Sequence, residues 1–222
     1  VLGTYGIILL NLLRRKFSLA YLDSFFYFQL LLWVFGVYGI LGSLGMQELL
    51  DIIDIKKHQA QFIVQFIPFL GIPFIIAAWY MSLKMAAELV GKKVSQRLAI
   101  SYFTIFTLAF LAYGMVLRQM PENGTTDYER LHQNIRMIFF TVELGIIAYI
   151  FLYIQSHLPK IRDRYQKKML NRFGFLLTAT TLLTAISQYY AERHYLVFLY
   201  FLLLYFAGDL PLVFLVRNHL EK

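Results

Sequence analysis

The strongest constraint on this chain is the recurrence of apolar segments long enough to cross a lipid bilayer, separated by short polar connections. Hydropathy places seven of them at approximately residues 1–13, 20–42, 62–86, 98–117, 135–155, 173–190 and 195–216. A bilayer core needs roughly 20 apolar residues per helical crossing and leaves backbone polar groups no partner outside the helix. The sequence therefore predicts an all-α fold: a polytopic membrane helix bundle of about seven transmembrane helices, forming a single domain over residues 1–222.

The first segment is shorter than a crossing requires. It spans only residues 1–13, so we expect a clipped helix with further residues before Val1. A basic cluster at residues 14–16 follows this segment instead of preceding it, and no small-residue cleavage site is present, which argues against a signal peptide.

Composition does not fit a water-soluble domain, and it excludes cysteine chemistry. Hydrophobic residues make up 59% of the chain and charged residues 15%, against about 45–50% and about 25% in soluble domains. Cysteine is absent, so disulfides, thiolate metal sites and cysteine nucleophiles are excluded together.

The distribution of basic residues predicts the orientation. Of the 21 Lys and Arg residues, 15 fall in residues 14–16, 84–97, 160–172 and 217–222, which alternate with connections that hold the other six. The positive-inside rule then places the N-terminus outside and the C-terminus in the cytoplasm, in a cell membrane that we take to be a bacterial inner membrane. The net charge of +8 is accounted for by this excess, with membrane lipids as partners and no direct nucleic-acid contact.

The sequence lacks the signatures of the common enzyme and cofactor sites. It has no phosphate-binding glycine loop, no serine elbow and no histidines at metal-ligand or haem-ligand spacing. We therefore expect neither an enzyme nor a bound cofactor or metal.

Two acidic residues within apolar segments are the first candidates for a switch or ligand site. Glu143 lies about two turns into the fifth segment, and Asp209 lies in the seventh, two residues before Pro211. A charge at such depth costs roughly 2.5–3.5 kcal/mol, so each acid must face the bundle, be protonated or find a partner. Asp209 either ties up backbone groups at a bend made by Pro211 or acts as a switch there.

The third segment adds two more candidates, Pro68 and Pro73, on either side of Gly71. Two interpretations stay open for this pattern: a bend that serves helix packing, and a hinge or cavity wall.

Three stretches together resemble a known family. They are the basic connection at residues 89–97, the basic stretch and following helix start at residues 161–174, and the ending at residues 206–214, Phe-Ala-Gly-Asp-Leu-Pro-Leu-Val-Phe. The chain is in these respects similar to bacterial seven-helix membrane sensor modules that precede a LuxR-type helix-turn-helix or a kinase output domain. The resemblance implies a sensory role and an output region in the cytoplasm.

Three functions are compatible with these observations. The leading hypothesis is a membrane-embedded sensory or signalling domain that relays a small, lipidic or protein signal to a cytoplasmic output region. The alternatives are a non-catalytic accessory or scaffold subunit of a larger membrane complex, and a small-solute transporter. As protein partners we expect further copies of this chain or the subunits of a larger membrane complex.

Overall fold

The computed structural model describes residues 2–40, 57–118, 126–189 and 210–221, and in these ranges the chain is helical. The helices are α1 Leu2–Phe17, α2 Ala20–Ile40, α3 Lys57–Leu89, α4 Gln96–Arg118, α5 Thr126–His157, α6 Arg164–Tyr189 and α7 Leu210–Leu220, with a 3-10 turn at Leu158–Lys160. The described ranges contain no strand. The predicted all-α class is confirmed.

Four of the described helices contain a stretch that is long and apolar enough to cross a membrane. These stretches are Ala20–Tyr38, Phe69–Leu89, Gln96–Val116 and Thr141–Lys160, and α7 is a shorter apolar helix. By length and composition these four helices are suited to cross a membrane. Most of the predicted span at residues 195–216, including Asp209, lies outside the described residues.

Several helices extend beyond the apolar segments that predicted them. The clearest case is α6, which begins at Arg164, whereas the apolar segment begins near residue 173. The Asp163 carboxylate accepts the backbone N–H groups of Tyr165 at 2.7 Å and Gln166 at 2.9 Å. Such a cap satisfies donors that have no partner within the helix, so much of the stretch predicted as a basic loop is helical.

A second cap fixes the start of α4. The Ser95 hydroxyl accepts the backbone N–H of Leu98 at 3.2 Å. Hydropathy does not detect either cap, because both depend on one polar side chain outside the apolar run.

The first two helices form a tight hairpin. Only Ser18 and Leu19 separate them, and Ser18 has a positive φ of 49°. The guanidinium of Arg14 in α1 lies 4.0 Å from the ring centroid of Phe26 and 3.4 Å from a carboxylate oxygen of Asp23, both in α2. This cation–π and ionic contact holds the hairpin closed.

The chain divides into two compact units. The first comprises Val1–Leu31, Ala78–Val94 and Leu144–Lys222, and the second comprises Leu32–Ala77 and Ser95–Glu143.

In the first unit, the centre is aromatic and joins α2, α3 and α6. The ring of Phe28 lies 6.2 Å from that of Trp79 and 5.8 Å, edge-on, from that of Phe173. All three side chains are buried. Because lipid tails are as apolar as these rings, the contacts stabilise the bundle through close packing more than through the hydrophobic effect.

In the second unit, an aromatic stripe attaches α4 to α3. Phe69 of α3 stacks on Phe110 at 4.3 Å and meets Tyr113 edge-on at 5.4 Å. The Tyr102 hydroxyl donates to the backbone carbonyl of Ile76 at 2.8 Å. The α4 residues Tyr102, Phe110 and Tyr113 are eight and three positions apart, a spacing that places them on one helix face.

Also in the second unit, α2 and α3 approach each other closely at Gly71. A Cβ atom at this position would lie 3.1 Å from Cβ of Tyr38 and 3.2 Å from a ring carbon of Phe35. The helix is continuous through both Pro68 and Pro73, and Pro73 is exposed. Gly71 of this pattern therefore has a packing role, because it lets α2 and α3 approach closely.

Candidate functional site

The polar contacts of the first unit gather where α1 ends, α2 begins, α3 ends, α5 ends, α6 begins and α7 ends. We call this region the polar end cluster and define it by Tyr21, Ser24, Glu88, Lys92, His157, Tyr165 and His219. The basic stretches at residues 84–93 and 160–172 belong to the same unit, and Glu88, Lys92 and Tyr165 of the cluster lie within them.

Tyr165 joins α6 to α2 at the centre of the cluster. Its hydroxyl donates to Sδ of Met169 at 3.3 Å and lies 3.3 Å from the Tyr21 hydroxyl. Either hydroxyl of the Tyr21–Tyr165 pair can donate to the other, so the pair links α6 to α2 whichever tyrosine supplies the proton. Burial, followed by the hydrogen bond with Tyr21 and the charge of Asp163, raises the pKa of Tyr165.

Tyr165 also joins α6 to the last turn of α7. The His219 ring stacks on the Tyr165 ring with 3.5 Å between centroids and 6° between planes. A second contact between the same helices lies two turns along α6, where a guanidinium nitrogen of Arg172 donates to the backbone carbonyl of Pro211 at 3.4 Å. These contacts hold α7 against α6 at two levels.

A buried hydroxyl and a carboxylate connect α2 to α3. The Ser24 hydroxyl, only 1% exposed, donates to a carboxylate oxygen of Glu88 at 2.7 Å. Lys84, one turn earlier in α3, places its ammonium 3.8 Å from the other oxygen of Glu88. The carboxylate is thus held by a hydrogen bond and a cation, which offsets its partial burial.

His157 closes the cluster at the end of α5. Its Nδ1 lies 2.8 Å from the carbonyl oxygen of Tyr153, and its Nε2 lies 2.9 Å from the ammonium of Lys92. A carbonyl only accepts and an ammonium only donates, so Nδ1 carries the proton and Nε2 accepts from Lys92. This pairing ties the connection after α3 to α5.

The residues predicted from sequence as a switch or ligand site do not lie in the polar end cluster as defined. Glu143 is half-buried in α5, belongs to the second unit and interacts electrostatically with Tyr102. Pro211 lies in α7, where its carbonyl accepts from Arg172. The predicted switch roles of Glu143, Pro68, Pro73 and Pro211 stay predictions, and Asp209 lies outside the described residues.

Sequence reasoning did not single out the members of the cluster. Tyr21, Tyr165 and His219 each lie at a helix end, where an amphipathic ring places its body against apolar groups and its polar atom toward water. That placement is the signal that could have identified them. Their pairing depends on contacts between helices that are distant in sequence.

The described residues show no metal-binding arrangement. Across residues 2–40, 57–118, 126–189 and 210–221, no three His, Asp or Glu side chains are grouped as ligands. The chemistry that the cluster does offer is hydrogen bonding, ring stacking and ion pairing between helix ends.

Comparison with known proteins gives no relative: no protein-family model, no curated protein and no solved structure matches this chain. Its function must therefore be argued from the contacts described above.

Proposed function

We propose that this chain is a membrane-embedded sensory or signalling domain, which relays a small, lipidic or protein signal to a cytoplasmic output region. In this proposal the bundle has about seven crossings of a bacterial inner membrane, an outer N-terminus and a cytoplasmic C-terminus. The observation that carries it is the position of Tyr165, which contacts both the start of α2 and the last turn of α7.

A relay needs two arrangements of similar free energy, of which the signal favours one. The contacts of α7 with α6 are of a kind that can exchange: one stacked pair at an exposed His219 and one long hydrogen bond from an exposed Arg172. A stacked aromatic pair contributes only about 0.5–1.5 kcal/mol. The contacts among Phe28, Trp79 and Phe173 are buried, so we expect α2, α3 and α6 to keep their arrangement while α7 moves.

The orientation is part of the same proposal. The polar end cluster and its basic neighbours at residues 160–172 would face the cytoplasm, where α7 leaves the membrane. A change in the position of α2 would then reach α7 through Tyr21, Tyr165 and His219. The switch predicted at Asp209 and Pro211 stays a separate prediction.

Distance measurements test the relay directly. Nitroxide labels on Lys93→Cys and Asn218→Cys, both exposed and both in the first unit, report the position of α7 in this otherwise cysteine-free protein. In lipid nanodiscs we expect two resolved distances, with populations shifted by His219→Ala. The control Arg164→Gln removes a charge beside Tyr165 and leaves the stack in place, so it should leave the populations unchanged.

A single narrow distance that is the same in the unaltered protein and in His219→Ala would contradict the relay. It would favour the accessory-subunit alternative, since a scaffold needs only one arrangement.

One observation favours that alternative independently. Only 11% of the α4 stretch Gln96–Val116 is buried within the chain. Its exposed large side chains are Leu98, Ile100, Phe103, Ile105, Leu108, Leu111 and Met115. If this face packs against another subunit, then cross-linking of Ile105→Cys in native membranes yields a specific heteromeric adduct, whereas a lipid-facing α4 yields none.

A further inference from the structure

A groove of about 290 Å³ runs between α1 and α7 in the first unit. On the α1 side its wall is apolar and includes Tyr5, Ile8, Leu9 and Leu12. These residues recur at positions i, i+3, i+4 and i+7, so they form one continuous helix face. The charged residues Lys16, Arg217 and Glu221 also line the groove, and Glu221 interacts with both cations.

The groove has the length of one membrane leaflet. From Tyr5 to Lys16 a helix rises about 16 Å, which is about half of a bilayer core of ~30 Å. The apolar wall on α1 is thus about as long as a lipid acyl chain in one leaflet, and Lys16 lies at its end, where a headgroup would be. We propose that this groove binds one anionic phospholipid, with an acyl chain along α1 and its phosphate at Lys16 and Arg217.

The charges that line the groove favour an anion. Arg217 donates to a carboxylate oxygen of Glu221 at 2.8 Å, and this hydrogen bond, with a further contribution from the charge of Lys16, lowers the pKa of Glu221. Two cations therefore share one carboxylate, and a positive charge is left over. The Arg217–Glu221 pair is exposed at both side chains and contributes little, so a phosphate can replace the carboxylate on Arg217.

The lining favours a lipid over another helix. Transmembrane helices dock where small residues let the backbones approach, and none of the residues that line this groove is Gly, Ala or Ser. Tyr5, Ile8 and Leu12 are each about half exposed, at 49%, 54% and 60%. Flexible acyl chains fill such an irregular apolar wall, and the cations that line the groove match a phosphate. The inference does not depend on a signalling role, because a scaffold or transporter could hold the same lipid.

Lipid binding to the purified, delipidated chain tests the proposal. Phosphatidylglycerol and phosphatidylcholine with identical acyl chains are titrated, and bound lipid is counted by native mass spectrometry. We expect one phosphatidylglycerol per chain, retained in preference to phosphatidylcholine. The double variant Lys16→Gln/Arg217→Gln should weaken phosphatidylglycerol binding about thirty-fold, or about five-fold for each cation removed.

The matched control is Lys93→Gln/Lys167→Gln, which removes two exposed cations of the same unit away from the groove. It should leave the affinity within about two-fold, on the same electrostatic argument. A second variant, Ile8→Trp, fills the apolar wall without changing charge and should also displace the lipid. Equal loss in the groove and control variants, or equal retention of the two lipids, would overturn the proposal.

Discussion

The imidazole ring of His219 lies flat against the phenol ring of Tyr165, although one belongs to the last turn of α7 and the other to the first turn of α6. The hydroxyl of the same tyrosine contacts Tyr21 at the start of α2. Three helix ends therefore meet at the Tyr165 side chain. The contributions of its contacts to stability can be measured one at a time.

Removing the stack should destabilise the first unit by a small and specific amount. We expect His219→Ala to lower the free energy of unfolding by about 0.5–1.5 kcal/mol, the usual contribution of a stacked aromatic pair. Denaturant titration in detergent measures the loss. His219→Phe keeps a ring in place and should retain most of the stability; equal losses in the two variants would contradict a stacking role.

The hydroxyl of Tyr165 should make stability depend on alkaline pH. Burial and the hydrogen bond with Tyr21 raise its pKa above the ordinary value near 10, because the fold favours the protonated form. This contribution is fully present below about pH 10 and is lost as the pH rises through the folded-state pKa. The stability difference between the unaltered protein and Tyr165→Phe should thus be constant up to about pH 10 and then change. A difference that stays constant above that pH would contradict the assignment.

The hydrogen bond between Ser24 and Glu88 should contribute more than other buried hydroxyl contacts. Ser24→Ala leaves a partly buried carboxylate without its donor, and we expect a loss of roughly 1.5–3 kcal/mol. Ser82 is the matched control, because it is also buried but donates at 2.7 Å to the Trp79 carbonyl within its own helix. Ser82→Ala should cost under about 1 kcal/mol. Thermal unfolding compares the pair, and the reverse order would rule out a structural role for the Ser24 contact.

Two glycines in spanning segments should respond in opposite directions to the same substitution. Gly71→Ala places a Cβ against Cβ of Tyr38 and the ring of Phe35, and we expect a loss of about 1–3 kcal/mol. At Gly145 a new Cβ meets nothing within 4 Å, so Gly145→Ala should stabilise α5 by about 0.5–1 kcal/mol. Unfolding in detergent measures both; a stable Gly71→Ala variant would show that α2 and α3 can separate there at no cost.

The proposed orientation can be tested with single cysteines. Lys93→Cys and Lys167→Cys are expected to face the cytoplasm, and Asn134→Cys the outside; all three positions are exposed and lie outside the candidate spans. An impermeant maleimide applied to intact cells should label only Asn134→Cys, and all three after permeabilisation. Labelling of Lys93→Cys in intact cells would show that the orientation is the reverse of the proposed one. Ser95 is unsuitable for this purpose, because its hydroxyl caps α4.

Hydropathy was sufficient for the fold class and for the approximate location of the described helices, because the bilayer imposes both helical structure and apolar length. It was not sufficient for helix ends. The start of α6 depends on Asp163, and the start of α4 depends on Ser95, each a single side chain that an average over a window does not register.

The candidate site was less predictable for a related reason. An acid such as Glu143 stands out in an apolar segment, since its cost at depth can be estimated from the sequence alone. Tyr165 and His219 do not stand out, because rings at helix ends are ordinary and only their mutual contact gives them a role. That contact follows from how the helices pack, which one sequence without relatives does not specify.

The two-residue connection at Ser18 and Leu19 has a consequence for biogenesis. In the proposed topology α1 and α2 would enter the membrane as a single hairpin, because they are joined by two residues and held together by Arg14 and Phe26. The direction in which α2 threads then fixes the direction of α1. Variants that change the charge on either side of this hairpin should invert both helices or neither, because the translocation machinery inserts the pair as one unit.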